Sequence, residues 1–316
     1  MKKLTLLSVL TISLAACNGG SGSTNPEPNP TTTPTPYYNA TSVYSLPVNQ
    51  LIVQGATIIN PVNNQVVYPV VNFTSGNPVS TSQAITNSSG TWTTMAYNSG
   101  TYTTYSNSKS NCSLNYLGNI VCGTSSSVIE INPNTGVLLN TYNITSGPLA
   151  IFGGYMPNNS SYYTLNYQHC NLITGACSYV TGRNSQYSAT TNVVTVNGNY
   201  LYTVVNNYPN GSPLIGQINM QNNSINYISL PSKVGLLLNS AVVFKDSTHF
   251  YVSGLRSIYQ CTLNSSITCD DGTNIDASDM STMDGDTLVY INGNLYVDGM
   301  ERVGASVIYK IYQINL

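Results

Sequence analysis

From Tyr37 onward the apolar residues of this chain come in short runs broken by Asn-Gly, Gly-Asn, Ser and Pro turns, with no helical period held beyond two turns. That pattern predicts strands joined by tight turns, so the chain reads as all-β. The clearest unit occurs twice: residues Val193 to Tyr202 and Leu288 to Tyr296 each read as strand, Asn-Gly-Asn turn, strand. Weaker copies lie at Ile58 to Val70, Leu114 to Cys122, Ala150 to Leu165 and Ala241 to Gly254, and a second hairpin follows in Val128 to Leu139 and in Ile258 to Asp270. Strands entering second position near Val66, Ile120, Tyr162, Tyr200, Phe250 and Leu295 recur about every 45 residues, the period of a four-stranded propeller blade. The expected fold is a β-propeller of six four-stranded blades, with seven as the alternative. Only three strands are recognisable before Leu316 in the last blade, so Val43 to Val48 is expected to supply the fourth and close the ring, which removes open sheet edges.

Upstream of the strands the pattern changes. Lys2 and Lys3, a short apolar stretch from Leu4 to Leu14 and the run Leu14-Ala15-Ala16-Cys17 resemble a bacterial lipoprotein signal peptide. The resemblance implies cleavage after residue 16, lipidation of Cys17 and export, and Asn18 in place of Asp implies outer-membrane sorting. Residues 17–36 are rich in Gly, Ser, Thr, Asn and Pro and read as an extended tether. The expected organisation is therefore a signal over 1–16, a lipidated tether over 17–36 and a propeller over 37–316. No later apolar run is long enough to cross a bilayer as a helix.

Six cysteines remain beside Cys17, an even number in an exported chain. Cys112 with Cys122, Cys170 with Cys177, and Cys261 with Cys269 each flank a turn symmetrically, as cross-strand partners in a hairpin do. Three hairpin disulfides are expected. Their spacing does not match zinc knuckles, and His169 and His249 lie far apart.

Charge narrows the function. Asp, Glu, Lys and Arg make up 6% of the chain, against about 25% in ordinary globular proteins. Nine basic residues, Lys2 and Lys3 among them, face eleven acidic ones with no basic cluster, so nucleic acid is not an expected partner. Placed on a propeller, most charges fall on second-to-third and blade-to-blade connections: Lys109, Arg183, Lys233, Arg256, Asp276, Asp279, Asp284, Asp298, Glu301 and Arg302. The opposite face uses Asn, Gly and Ser. Loops on a rigid scaffold carry function, so Arg183, Arg256, Asp276, Asp279, Asp298, Glu301 and Arg302 are the expected ligand-binding set. The acidic stretch Asp270 to Asp286 offers oxygen ligands for Ca²⁺ but lacks the EF-hand order, and no cofactor is expected. No Gly-x-Ser-x-Gly, His-Glu-x-x-His, phosphate-loop or dinucleotide motif occurs, and no catalytic residue is assigned.

The segment Glu130-Ile131-Asn132-Pro133-Asn134-Thr135-Gly136 resembles the strand-turn signature of quinoprotein-like propeller repeats. It covers one blade, and the resemblance implies the propeller architecture. Quinone-binding members also use blade tryptophans and an acidic metal set, whereas this chain has only Trp92. The sequence thus describes a monomeric, lipid-anchored envelope module that binds a protein or glycan through its charged face. A hydrolase or lyase acting on a glycan, lactone or peptide at the channel mouth, and a structural surface lipoprotein, are the alternatives.

Overall fold

Tight turns built on glycine set the local geometry. The two clearest repeats use the same Asn-Gly-Asn text in different ways. Ile291 pairs with Asn294 across Asn292 and Gly293, both at positive φ (52° and 81°), the combination a type I′ hairpin needs. In the other copy Tyr200 is an extra residue, and Asn197 pairs with Tyr200 across Gly198 (φ 58°) and Asn199. Only its first turn position is left-handed, which is the type II′ form.

The computed structural model describes residues 37–48, 50–52, 58–59, 66–74, 77–87, 92–96, 112–123, 127–132, 137–145, 154–164, 167–189, 195–207, 213–234, 240–254, 257–283 and 288–316. Among them every regular element is a strand, and residues 35–316 form one compact unit. The strands assemble as consecutive antiparallel sheets in chain order. One takes strands from residues 50–96; the next runs as a four-stranded meander through Cys112–Leu114, Ile120–Gly123, Ser127–Ile131 and Leu138–Asn143. A second meander follows in Gly154–Asn158, Ser161–Thr164, Gln168–Asn171 and Cys177–Tyr179. Residues 187–229 form the next sheet, around strands Tyr200–Asn207, Leu214–Asn219 and Ser224–Ser229. The hairpins expected from the sequence are all present as antiparallel pairs.

The remaining strands form one ten-stranded sheet joined in the middle by the N-terminal strand Tyr37–Ser45. Its first residues, Tyr37 to Asn39, pair in parallel with Asn274 to Asp276. The rest, Ala40 to Ser45, pair antiparallel with Ile314 to Lys310. The earliest strand therefore completes the last sheet, as expected, but it starts at Tyr37 rather than Val43. It ends before Pro47, which has no N–H to give a ladder, although Leu46 N still donates to Tyr309 O at 2.9 Å.

Neighbouring sheets pack face to face around a ring. Val121 and Val128 meet Met156 and Tyr162; Tyr155 and Tyr163 meet Leu201 and Val205; Tyr202 and Ile215 meet Val242 and Phe250. Tyr251 and Ile258 then meet Leu295 and Tyr312. The last sheet packs on the first where Val289 and Tyr296 meet Trp92, whose ring stands edge-on to Tyr296 at 5.3 Å between centroids. Strand Ile58–Ile59 in turn approaches strand Cys112–Leu114. Four-stranded antiparallel units packed radially and closed by a terminal strand constitute a β-propeller. Large aromatics fill the wedge between sheets: Tyr162, Tyr163, Tyr167, Tyr312 and Phe250 are fully buried.

Two of the expected disulfides are present, Cys170–Cys177 and Cys261–Cys269, each between residues directly opposite in register. Cys112 and Cys122 stand opposite each other in the same way. Cys17 and the expected signal and tether lie outside the described residues.

Candidate binding face

The expected site residues divide into a set fixed by strands and a set carried by connections. Asp298, Glu301 and Arg302, expected in a loop, lie in strand Asn294–Val303. The hairpin ladder runs on to Val303 opposite Ser306, because Gly304 at φ 60° makes the tight turn later than the charge pattern suggested. Asp298 is only 1% exposed, so it belongs to the interior rather than to an open surface. Glu301 is diagonal to Lys310 in that ladder, since Gly299 faces Lys310 and Glu301 faces Ile308, within the reach of a long side chain.

Lys310 is the hub of the cluster. Its Nζ lies 2.8 Å from Glu301 Oε2 and 2.6 Å from Asp279 Oδ2, with Asp279 brought in by a sheet-to-sheet connection. Burial works to lower the Lys310 pKa, but the two carboxylates outweigh it and raise it. The two carboxylates thus favour the charged ammonium. Tyr312 donates to Asp279 O at 3.1 Å; burial first, then the two carboxylates, raises its phenol pKa. Ser281 ties the connection to the strand by accepting from Arg302 N at 2.9 Å. Arg302 and Asp276 remain exposed. Arg302 follows Glu301 directly, and Asp276 closes strand Thr273–Asp276 just ahead of Asp279. Side chains alternate along a strand, so Arg302 points to the sheet face opposite Glu301 and Lys310.

Arg183 lies apart from this cluster, in the connection between the sheets of residues 154–179 and 187–229, with its guanidinium 3.9 Å over the Tyr179 ring. Arg256, Lys109, Asp284 and Asp286 lie outside the described residues. Among the described residues no group of three His, Cys, Asp or Glu side chains is placed to hold a metal ion. Lys233 pairs with Asp271 at 2.8 Å in an exposed position, and such pairs contribute little to stability.

Two features escaped the sequence reading. Glu130, noted only as a strand residue, is a carboxylate 3% exposed and held by four neutral donors. Asn115 and Asn119 each donate to Oε1 at 2.6 Å; Asn140 and Tyr142 donate to Oε2 at 2.8 and 3.2 Å. Burial pushes its pKa up, but the donors from Asn140, Asn119, Asn115 and Tyr142 outweigh it and hold the carboxyl below its ordinary value. The signal was the asparagine spacing around a lone strand Glu. The second feature is a polar cavity of about 450 Å³ on the opposite face, lined by Asn158, Tyr163, His169, Met220 and Asn223 among others. Tyr163 donates to Asn223 Oδ1 and to Met220 O, and burial lowers the His169 pKa. Nothing in one strand's sequence indicates this cavity, because its walls come from turns of two sheets.

No protein-family model matches the sequence, and no curated protein does. Solved structures of low similarity do. An oligogalacturonate lyase in complex with manganese is 9% identical over 88% of this chain and 93% of that one, with a TM-score of 0.46. The β-propeller domain of Cps50 (Swd1) from Myceliophteria thermophila is 9% identical over 87% of this chain and 100% of that one, also at 0.46. The extracellular domain of a one-component system from B. thetaiotaomicron is 13% identical with a TM-score of 0.42; the match covers 85% of this chain and 42% of that chain.

Proposed function

We propose that this chain is a recognition module of the bacterial cell envelope, anchored by a lipid on Cys17 and reading a protein or glycan partner with the charged face of a six-bladed propeller. What supports the reading is one observation: Lys310 is neutralised from within by Asp279 and Glu301, while Arg302, on the strand that carries Glu301, and Asp276, at the end of the strand that leads to Asp279, stay exposed. Charge held on strand ends in a fixed geometry is preorganised for a partner and gives specificity more than bulk attraction. The alternating Pro and Thr residues of the tether hold such a face away from the membrane.

The test uses the full-length chain, produced in a bacterium fed a labelled fatty acid and immobilised for capture from envelope extract. The parent takes up label and retains a partner; Cys17→Ser takes up none. An Asp276→Ala/Arg302→Ala variant retains the same partner about tenfold less, as removal of central charged contacts does. Equal retention by parent and variant removes the face from the proposal, and label on Cys17→Ser removes the anchor.

A further inference from the structure

The polar cavity between the sheets of residues 154–179 and 187–229 has a volume of about 450 Å³, within the range of about 300–1,000 Å³ that small-molecule sites occupy. It opens to solvent. Asn158, Asn199 and Gln221 on its lining are exposed, and Ser161, His169 and Asn223 are partly so. One wall is a sheet face: Tyr155 stands opposite Tyr163, and Tyr163 opposite His169, so the three rings lie on one side of neighbouring strands. The other wall is formed mainly by two turns of the next sheet, at residues 198–199 and 220–223.

Both walls are held in place. The Tyr163 hydroxyl crosses the gap and donates to Met220 O at 3.1 Å and to Asn223 Oδ1. Met220 N donates to Asn199 O at 3.0 Å, which joins the two turns, and Thr181 N donates to Asn223 O at 2.8 Å. On the first wall Asn158 Oδ1 accepts from Ser160 N and Ser160 Oγ, at 2.9 and 2.8 Å. A cleft fixed in this way takes up a ligand without first being ordered.

These bonds occupy carbonyl oxygens and leave other groups for a guest. The amide NH₂ groups of Asn158 and Asn223 donate to no described residue. The His169 ring leans on Tyr163 at 4.9 Å between centroids, and among the described residues nothing hydrogen-bonds to its nitrogens. Burial lowers its pKa from 6.5, so at neutral pH the imidazole is uncharged and offers one donor and one acceptor. No Asp, Glu, Lys or Arg lines the cavity, while Pro157, Val196 and Met220 give it apolar surface. A peptide strand would need an unpaired sheet edge to add to, whereas this wall presents a face. A compact ring with hydroxyls on its rim and C–H groups on its faces matches both the neutral polar groups and the apolar ones. We propose that the cavity binds a neutral hexopyranose unit of a glycan, with Asn158, His169, Gln221 and Asn223 as its hydrogen-bonding residues. This site lies on the face opposite the charged one, and its test is independent of the partner capture described above.

The chain has two histidines, His169 and His249, so ring-labelled histidine gives two imidazole signals by NMR. The full-length chain in detergent at neutral pH is titrated with the methyl pyranosides of glucose, galactose and mannose. Sorbitol, methyl glucuronide and N-acetylalanine methylamide are the comparison probes. At least one neutral pyranoside is expected to move the His169 signal saturably and leave His249 in place. Sorbitol lacks the preformed ring and the glucuronide brings a carboxylate that meets no cation, so each binds about tenfold more weakly or worse. His169→Phe keeps the ring packing and removes its hydrogen bonds; by calorimetry it weakens the best pyranoside about three- to tenfold. Asn158→Ala/Gln221→Ala, at exposed positions, does the same. Thermal unfolding of each variant at the parent temperature separates binding loss from misfolding. No saturable shift with any pyranoside, a shift with the methylamide alone, equal binding of sorbitol or the glucuronide, or unchanged affinity in both variants overturns the proposal. Pyranoside binding without partner capture overturns the envelope-partner reading and leaves this site standing.

Discussion

Glu130 shows how a chain with so few charges can place one of them indoors. Four neutral donors replace water around its carboxylate, and Asn115 is itself locked by accepting from Leu117 N and Asn119 N, both at 2.9 Å. Replacing Glu130 by Gln keeps the shape but turns an NH₂ donor toward groups that themselves donate. The expected loss is about 2–3 kcal/mol in denaturant unfolding at neutral pH. Because the folded pKa is lowered, the advantage of the parent over Glu130→Gln is full above the ordinary value of 4.5. It fades as pH falls through the lower folded value, where the carboxyl protonates in the native state as well. An unchanged difference between the two proteins at low pH would mean that charge is not what the asparagines hold. At this scale the sequence was only partly legible. The turn glycines announced themselves, but the pairing of Glu130 with Asn115 and Asn140 required strands to be in register, and burial of Asp298 depended on where the hairpin after it turned.

Among elements, the hairpins were the most readable, since each is local: an apolar run, a turn dipeptide and a second run decide it. The cysteines reinforced the register, and the Cys261–Cys269 and Cys170–Cys177 bonds join residues that face each other directly. Each closes a short loop, with a sequence separation of 8 and 7, so each constrains the unfolded chain modestly. A Cys261→Ala/Cys269→Ala variant is expected to lose about 2–3 kcal/mol by loop entropy, measured by denaturant unfolding against the oxidised parent. A smaller loss would mean the hairpin persists in the unfolded state. Less readable was the long hairpin of Asn294–Val303 with Ser306–Ile314. Glu301 and Arg302 look like loop residues in text, yet the ladder carries them, and Val297, Val303 and Val307 around them keep the β pattern going.

The whole molecule is held by a pairing between its two ends. Tyr37–Ser45 joins the two parts of the ten-stranded sheet by pairing with Thr273–Asp276 on one side and Ser306–Ile314 on the other, and Asn315 N donates to Asn39 O at 2.9 Å. A permuted chain that begins at Gln50 and carries residues 37–46 after Leu316, joined by a short Gly-Ser turn, makes the closing pair local. It is expected to match the parent in stability within about 1 kcal/mol and to refold faster, because ring closure no longer waits on a distant contact. Stopped-flow refolding checks this, and a slower or less stable permutant would mean that closure is not the late event. Ring closure was legible because a blade was one strand short. The cavity between turns of neighbouring sheets was not, since no single segment contains it. The same closure sets a timetable for the chain in the cell. Strand Tyr37–Ser45 is made first and its partner, Ser306–Ile314, last. At roughly 5–20 residues per second the earliest strand waits about 15–55 s for its mate. Until then the strand that seals the molecule lacks its antiparallel partner and presents an open edge.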